Sequence, residues 1–496
     1  MTTTTTHTDA LIVADASALE HADRVIAGLG LPAAGTAVSD PATGEQIGFI
    51  EDGDVDGALR AVATADAAGR DWARTTPRQR ADVLHAWHAL LVEHTQDLAH
   101  LISREMGKPL AEARGEVKYG SDFVRWYAEE AVRPAGNYRE APDGGATILT
   151  RRAPVGLAVL ITPWNFPLAM ATRKIAPAIA AGCAAVVKPA TLTPLTTIYA
   201  VQLALQAGVP ADLVQVVTPK SSSAFSEAVL RDPRVRKVSF TGSTEVGRTL
   251  MQLASDNVLR SSMELGGNAP FLVFDDADLE RAIDGAVAAK LRNGGQSCIA
   301  ANRYYVQDGI ADAFVEGVAE RLSQAAVGAG LGTGTVVGPL IDDRAVRQMR
   351  ALTDDAVAHG AELRAGGTEL GDGTGHFFAP TVLDRVPEAS DIAGTEIFGP
   401  IMAIQRFGTE AEAIERANAT EFGLAGYVFS ESLDRALNVA DRLETGILGI
   451  NQAVPSNAAA PFGGVKQSGL GREGSAEGLE EYQSVRFYNI ARRATS

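Results

Sequence analysis

From residue 155 onward, short apolar runs alternate with stretches of helical periodicity, and few folds are compatible with that rhythm. Residues 155–161 form an apolar run, 168–181 carry apolar residues at helical spacing, and 184–187 form a second run. A helix over about 194–207, a run at 213–217, a helix from Ser223, a run at 235–240 and a helix from Ser243 continue the series. Strand and helix alternating at this pitch imply βαβ units, hence a parallel sheet with helices on both faces. The rhythm restarts after Leu265-Gly266-Gly267, with strands over 271–274 and 303–306 and helices over 279–291 and 311–325. A boundary between two tandem α/β units is therefore placed near Gly266-Gly267.

The rest of the chain fits around those units. At 496 residues it has room for about three structural units. Residues 53–133 are mostly helical in pattern, with 55–72 and 79–106 as candidate helices and Thr75-Thr76-Pro77 as a start signal. Asp143-Gly144-Gly145 sits between β-prone segments and predicts a hairpin. The isolated, strand-like stretch 485–489 predicts a strand that pairs with something distant, a second subunit included. The uncharged stretch 153–172 is long enough to span a membrane, but Pro154, Pro163 and Pro167 suit a buried strand running into a turn. No membrane span is expected. The Thr-rich residues 1–10 read as a frayed tail without signal-peptide character.

Charge and cysteine usage narrow the function. Basic residues number 44 against 61 acidic ones, a net charge of −17, which argues against nucleic-acid binding. Two cysteines, Cys183 and Cys298, make no disulfide framework and imply a reducing, cytoplasmic setting. His85 and His88 share a helix face, but no third ligand is evident, so no metal is expected.

Several segments could carry chemistry. Cys298 follows Asn293-Gly294-Gly295-Gln296-Ser297, a Gly-rich approach that leaves room for a substrate and for backbone N–H groups. Taken alone, a buried structural cysteine is the commoner outcome, and Cys183 keeps that reading. Asn165 in Ile161-Thr162-Pro163-Trp164-Asn165-Phe166-Pro167 lies beyond a buried strand, where parallel sheets place their sites. Lys188 ends the next strand, in the same crevice. Thr241-Gly242-Ser243 reads as strand, Gly turn and helix start, a geometry for dinucleotide phosphate. Glu264 sits among apolar neighbours, where desolvation raises a carboxyl towards the range of a general base. A P-loop nucleotidase is a rival, since 242–249 is one residue from GxxxxGK[ST], but Arg248 stands where the lysine is required.

Taken in order, Trp164-Asn165-Phe166-Pro167, Lys188-Pro189, Thr241-Gly242-Ser243, Glu264-Leu265-Gly266-Gly267, Gly295-Gln296-Ser297-Cys298, Glu396-Ile397-Phe398-Gly399-Pro400 and the segment 461–469 resemble the aldehyde dehydrogenase superfamily. The resemblance runs from Asp40 to about residue 490. It implies two doubly wound α/β domains, Rossmann-like for the cofactor and catalytic, plus a small β oligomerisation hairpin. The expected boundaries are 1–136 with 156–266 for the cofactor domain, 267–460 for the catalytic domain, and 137–155 with 480–496 for the bridging segment. Cys298 is then the expected nucleophile, Asn165 the oxyanion donor and Glu264 the base for thioester hydrolysis. Ile161, Thr162, Pro163, Trp164, Lys188, Thr191, Gly242, Ser243, Glu396 and Phe398 are the expected cofactor contacts.

Two departures within the resemblance sharpen the expectation. Thr191 stands where NAD-preferring members often carry Glu, so repulsion of a 2′-phosphate is removed and NADP+ is expected, with acceptance of NAD+ left open. Arg173, Arg292 and Ser456 resemble the carboxylate-binding set of succinate-semialdehyde dehydrogenases. The expected reaction is oxidation of succinate semialdehyde to succinate, with glutarate semialdehyde or a broader aldehyde range as the alternative. Ala300 excludes a disulfide switch two residues after Cys298. A homodimer or homotetramer is implied, joined through the hairpin and the C-terminal strand.

Overall fold

The computed structural model describes residues 11–133 and 136–492, so the Thr-rich residues 1–10 lie outside what is described here. Two sheets and a small third one organise the chain. In the first sheet, Arg260–Glu264, Val235–Thr241, Leu157–Ile161, Ala185–Lys188 and Val214–Val216 lie side by side and parallel. Chain order therefore reverses on the two sides of Leu157–Ile161. Such a switch point opens a crevice beyond the carboxyl ends of the strands, and the Asn165 loop and the Gly242 turn both leave the sheet there. Gly469–Leu470 returns to this sheet as an antiparallel edge strand on Arg260–Glu264. Late sequence thereby joins the first unit, an excursion that no local pattern announces.

The second sheet has Ala269–Val273 near its middle, flanked by Ala301–Gln307 and Ala425–Phe429, and all its pairings are parallel except that of Glu362–Ala365 at one edge. These strands are buried along nearly their whole length, and the polar Asn302 and Arg303 of Ala301–Gln307 are hydrogen-bonded within the interior. Cys298 lies three residues before Ala301–Gln307 and Glu264 ends a strand of the first sheet. The cleft thus has the carboxyl ends of one sheet on one side and the amino ends of the other sheet opposite.

The helical region differs in one respect from its periodicity. Residues 79–106 form two helices, Pro77–Glu93 and Thr95–Met106, and not one. Thr76 and Gln79 build a capping box with Pro77 at the first position, as the start signal requires. The break falls at His94, whose ring nitrogen bonds Asp97 Oδ2 at 2.8 Å while Thr95 Oγ1 donates to Val92 O at 2.6 Å. Local side-chain bonds of this kind compete with the helical ladder, which periodicity does not register.

The third sheet is antiparallel and made within one chain. Tyr138–Glu140 pairs with Ala146–Pro154, which pairs along its length with Gln483–Ala491. The partner of the C-terminal strand is therefore the hairpin of the same chain. That strand leaves Val485 61%, Phe487 68% and Ile490 51% exposed. Among the described residues no helix is long and apolar enough to cross a membrane, and no group of three or more His, Cys, Asp or Glu could hold a metal ion. Cys183 is buried, donates to Tyr482 O at 3.4 Å, and has its thiol pushed up to about 11 by that burial.

Candidate active site

A cavity of about 230 Å³ lies in the cleft, lined by residues from both units. Asn165, Glu264 and Cys298 share its wall, although they are separated by 99 and 34 positions in sequence. Pro163, Trp164, Arg173, Gly242, Ser243, Arg292, Glu396, Phe398 and Ser456 line it too. Ile161, Thr162, Lys188 and Thr191 do not; they lie along the same carboxyl edge, with Thr162 N–H bonded to Lys188 O at 3.1 Å and Thr191 exposed. Tyr119, Phe166, Met170, Ile299 and Phe462 also line the cavity. Nothing in the residue pattern singled these five out for a role, because an aromatic or apolar residue on a helix or in a Gly-rich loop reads as core.

The cysteine loop is held from several sides. The helix Leu279–Leu291 ends in a turn in which Asn293 (φ 56), Gly294 (φ 59) and Gly295 (φ 79) all lie in the left-handed region. For Asn293 this costs on the order of 1 kcal/mol or more, so the surroundings must enforce it. They do. Glu112 accepts the Asn293 N–H at 2.7 Å, and Asn293 Nδ2 donates to Asn165 O and Gln296 O at 3.0 Å each. Gln296 in turn accepts the Ile341 N–H at 2.9 Å. Gly267 packs beneath the Cys298 carbonyl, where a Cβ would collide with that oxygen.

The half-buried Cys298 thiol is pushed up to about 12, chiefly by desolvation, with Glu396 and Glu264 adding to the rise while Arg173 and Arg292 oppose it. The resting side chain is therefore a thiol. Because thiolate is the reacting form, alkylation by iodoacetamide should accelerate about tenfold per pH unit between pH 7 and 9. A plateau below pH 9 would contradict that assignment.

Asn165 is fixed at both ends. Its main-chain oxygen accepts from Lys108 Nζ at 3.1 Å, and Lys108 is paired with Glu116 in the buried interior. Glu116 also accepts the N–H groups of Leu168 and Ala169 at 2.9 and 3.2 Å, capping the helix Pro167–Ala181 that follows. The side-chain Nδ2 donates one hydrogen to Gln296 O at 3.0 Å. An amide nitrogen carries two hydrogens, so one donor is left for an oxyanion.

Glu264 is 2% exposed and neither of its oxygens has a hydrogen-bond partner among the described residues. Desolvation and then the nearby Glu473 raise it well above the ordinary carboxyl range, only partly offset by Arg173 and Lys174. Glu473 behaves oppositely: burial alone would raise it, but Arg173 and Lys174 outweigh burial and hold it low. Two carboxyls in one low-dielectric site are thus shifted in opposite directions, the pattern that sets an acid–base group apart from a structural one.

The arginines divide as well. Arg173 is ion-paired with Glu473 and lies over the Phe462 ring at 4.4 Å, so its charge already has a carboxylate partner. Arg292 has no carboxylate within 4.0 Å among the described residues and lies over the rings of Phe166 and Tyr119 at 4.9 and 5.8 Å. The pair of free guanidiniums expected from sequence is therefore one free and one committed. Glu473, 300 positions downstream in a Gly-rich stretch, gave no local sign of the pairing.

The residues at the cleft's other end suit a nicotinamide dinucleotide. Ser243 caps the helix Thr244–Ser255, leaving its positive end at the crevice for a pyrophosphate. Lys188 is buried with no charged neighbour to offset its desolvation, which suits ribose or phosphate oxygens. Glu396 accepts the Gly267 N–H at 3.0 Å, and burial pushes its carboxyl up to about 7, so an acceptor oxygen remains for a ribose hydroxyl. Phe398, held at φ 53, meets Trp164 edge-on with centroids 5.4 Å apart. Arg248 turns to Gln467 and Glu421 rather than to the turn at Gly242, which leaves nothing of the P-loop reading.

Known proteins resemble this chain over most of its length. The family model described as "Aldehyde dehydrogenase family" matches residues 32–488. The chain is 52% identical to the succinate-semialdehyde dehydrogenase of Paenarthrobacter nicotinovorans, over 88% of this chain and 96% of that one. It is 45% identical to an NADP-dependent succinate-semialdehyde dehydrogenase of Escherichia coli, over 91% of this chain and 94% of that one. A solved structure of succinate-semialdehyde dehydrogenase from Burkholderia pseudomallei superposes with a TM-score of 0.90 at 45% identity, covering 92% of this chain and 95% of that chain. With Asn165, Glu264 and Cys298 gathered in one cavity, and a family match over nearly its whole length, the chain belongs to the aldehyde dehydrogenase family.

Proposed function

We propose that this enzyme oxidises succinate semialdehyde to succinate with NADP+, through a thioester on Cys298. Arg292 is the observation that carries the substrate: an unpaired guanidinium shares a cavity with the thiol and has the Ser456 hydroxyl nearby on the same wall. In the proposed sequence the Cys298 thiol gives its proton to solvent, the resulting thiolate attacks the aldehyde carbon, and the free Asn165 amide hydrogen with the Cys298 N–H holds the oxyanion. The bound nicotinamide supplies the acceptor for the hydride that leaves this carbon. Glu264, once deprotonated, takes a proton from the water that hydrolyses the thioester.

The substrate reading has a direct test. Arg292→Ala removes a charge-assisted contact of about 3 kcal/mol, so KM for succinate semialdehyde should rise roughly a hundredfold while butanal is little affected. Equal losses on both aldehydes would reject the carboxylate contact. Glutarate semialdehyde is expected as a weaker second substrate, since one methylene in a pocket changes binding by only about 1–3 kcal/mol.

The cofactor reading rests on Lys188 and on Thr191, which is exposed and carries no charge against a 2′-phosphate. Thr191→Glu should shift the kcat/KM ratio towards NAD+ by about tenfold or more. An unchanged ratio would mean that discrimination lies elsewhere. The exposed apolar side chains of Gln483–Ala491 support assembly as a homodimer or homotetramer. Phe487→Glu should then lower the mass measured by light scattering.

A further inference from the structure

Tyr119 has no role in the account above, yet it occupies a singular place. It lies on the helix Leu110–Ala131, and its hydroxyl is hydrogen-bonded to Ser456 Oγ, 337 positions away in sequence. Outside the main cavity lies a second, more open one at the surface, and Tyr119 and Ser456 are the two residues that line both. The bonded pair therefore forms the partition between an outer vestibule and the chamber that holds Cys298. The Tyr119 ring also has the Arg292 guanidinium over it at 5.8 Å, and the ring itself is set edge-on by Phe123 with centroids 4.9 Å apart.

The vestibule does not sort substrates by charge. Its ionic groups are paired with one another, Lys118 with Asp122 at 2.6 Å and Arg125 with Glu129 at 3.1 Å. Selection for an anion must therefore occur further in, where the partition and Arg292 meet. A bond between two neutral hydroxyls is weak and easily exchanged, whereas a hydroxyl donating to a carboxylate makes a bond about twice as strong. A guest with an anionic tail gains by taking both hydroxyls. An uncharged tail offers them nothing, and they stay bonded to each other.

We propose that Tyr119 is a specificity-determining residue whose hydroxyl forms, with Ser456, a latch that an anionic substrate tail opens by accepting both O–H groups beside Arg292. The proposal rests on the carboxylate-tail reading given above. It adds a residue that binds the tail and explains why the partition is built from two hydroxyls rather than from apolar side chains.

The test compares Tyr119→Phe with Arg292→Ala, using succinate semialdehyde and butanal on the intact enzyme with NADP+. Loss of one hydroxyl that donates to a charged group should raise KM for succinate semialdehyde about tenfold, with kcat within about twofold and butanal unchanged. Unaltered melting temperature and NADP+ affinity establish that the variant is folded. A change of the same size on both aldehydes, or on neither, overturns the latch. If Arg292→Ala remains selective in that case, the latch alone is wrong. If Arg292→Ala is unselective too, the carboxylate-tail reading falls with it.

Discussion

Cys298→Ala should lower aldehyde oxidation by at least about four orders of magnitude while leaving cofactor binding intact, because the variant has no group able to form the covalent intermediate. The structure gives a reason to expect no rescue. Asn165 and Glu264, which share its cavity, are an amide and a carboxyl with raised affinity for its proton, and Cys183 is sealed in the interior of the first unit. Fold should survive, since Cys298 is half-buried and the turn before it is secured by Glu112, Asn165 and Gln296 rather than by the sulfur. Stopped assays at 340 nm with protein of normal melting temperature would check this. Residual turnover within about a hundredfold of the native enzyme would mean that another nucleophile is in use.

The second large effect concerns Glu264. Its replacement by Gln keeps the shape but removes the base, so acylation should proceed once and hydrolysis should stall. The expected record is a burst of reduced cofactor equal to the number of sites, followed by a steady rate lower by about two to four orders of magnitude. The native enzyme has a further signature. Because burial and Glu473 raise the Glu264 carboxyl well above the ordinary carboxyl range, the hydrolytic step should quicken as pH rises through its titration. In Glu264→Gln that dependence should vanish from the steady rate. Loss of the burst as well as the steady rate would place Glu264 in thiol activation instead.

Much of the fold was legible because each element carries its own local signal. Ala269–Val273 is apolar throughout, and Leu279–Leu291 begins at a capping Asp278. The hairpin was visible in its Gly-rich turn. What stayed hidden was decided between distant residues. The edge strand Gly469–Leu470 gains its place only by pairing with Met263 and Glu264. The divided helix turns on a bond from His94 that periodicity ignores. In the site, Asn165 and Cys298 were found because each sits in a loop whose composition is odd for a core, and Glu264 because it is a carboxylate among apolar neighbours at a strand end. Tyr119, Glu473 and the commitment of Arg173 were not, since nothing beside them in sequence discloses the partner.

The helix Leu110–Ala131 illustrates the point. Glu112, Glu116 and Tyr119 lie on one face at spacings of four and three, and they reach the cysteine loop, the Asn165 loop and Ser456 respectively. Sequence shows an amphipathic helix; only the assembled molecule shows that one of its faces spans three loops of the site. Substitution of Glu112 or Glu116 should alter geometry at the thiol without touching substrate, an effect that appears in kcat more than in KM.

The central claim is that one sulfur becomes covalently joined to the substrate's carbonyl carbon. Mass spectrometry of Glu264→Gln, quenched in acid after mixing with succinate semialdehyde and NADP+, addresses it without relying on rates. The account predicts one succinyl group per chain, carried by the peptide that holds Cys298. Unmodified protein after a full burst of reduced cofactor, or an acyl group on Cys183 instead, would contradict it.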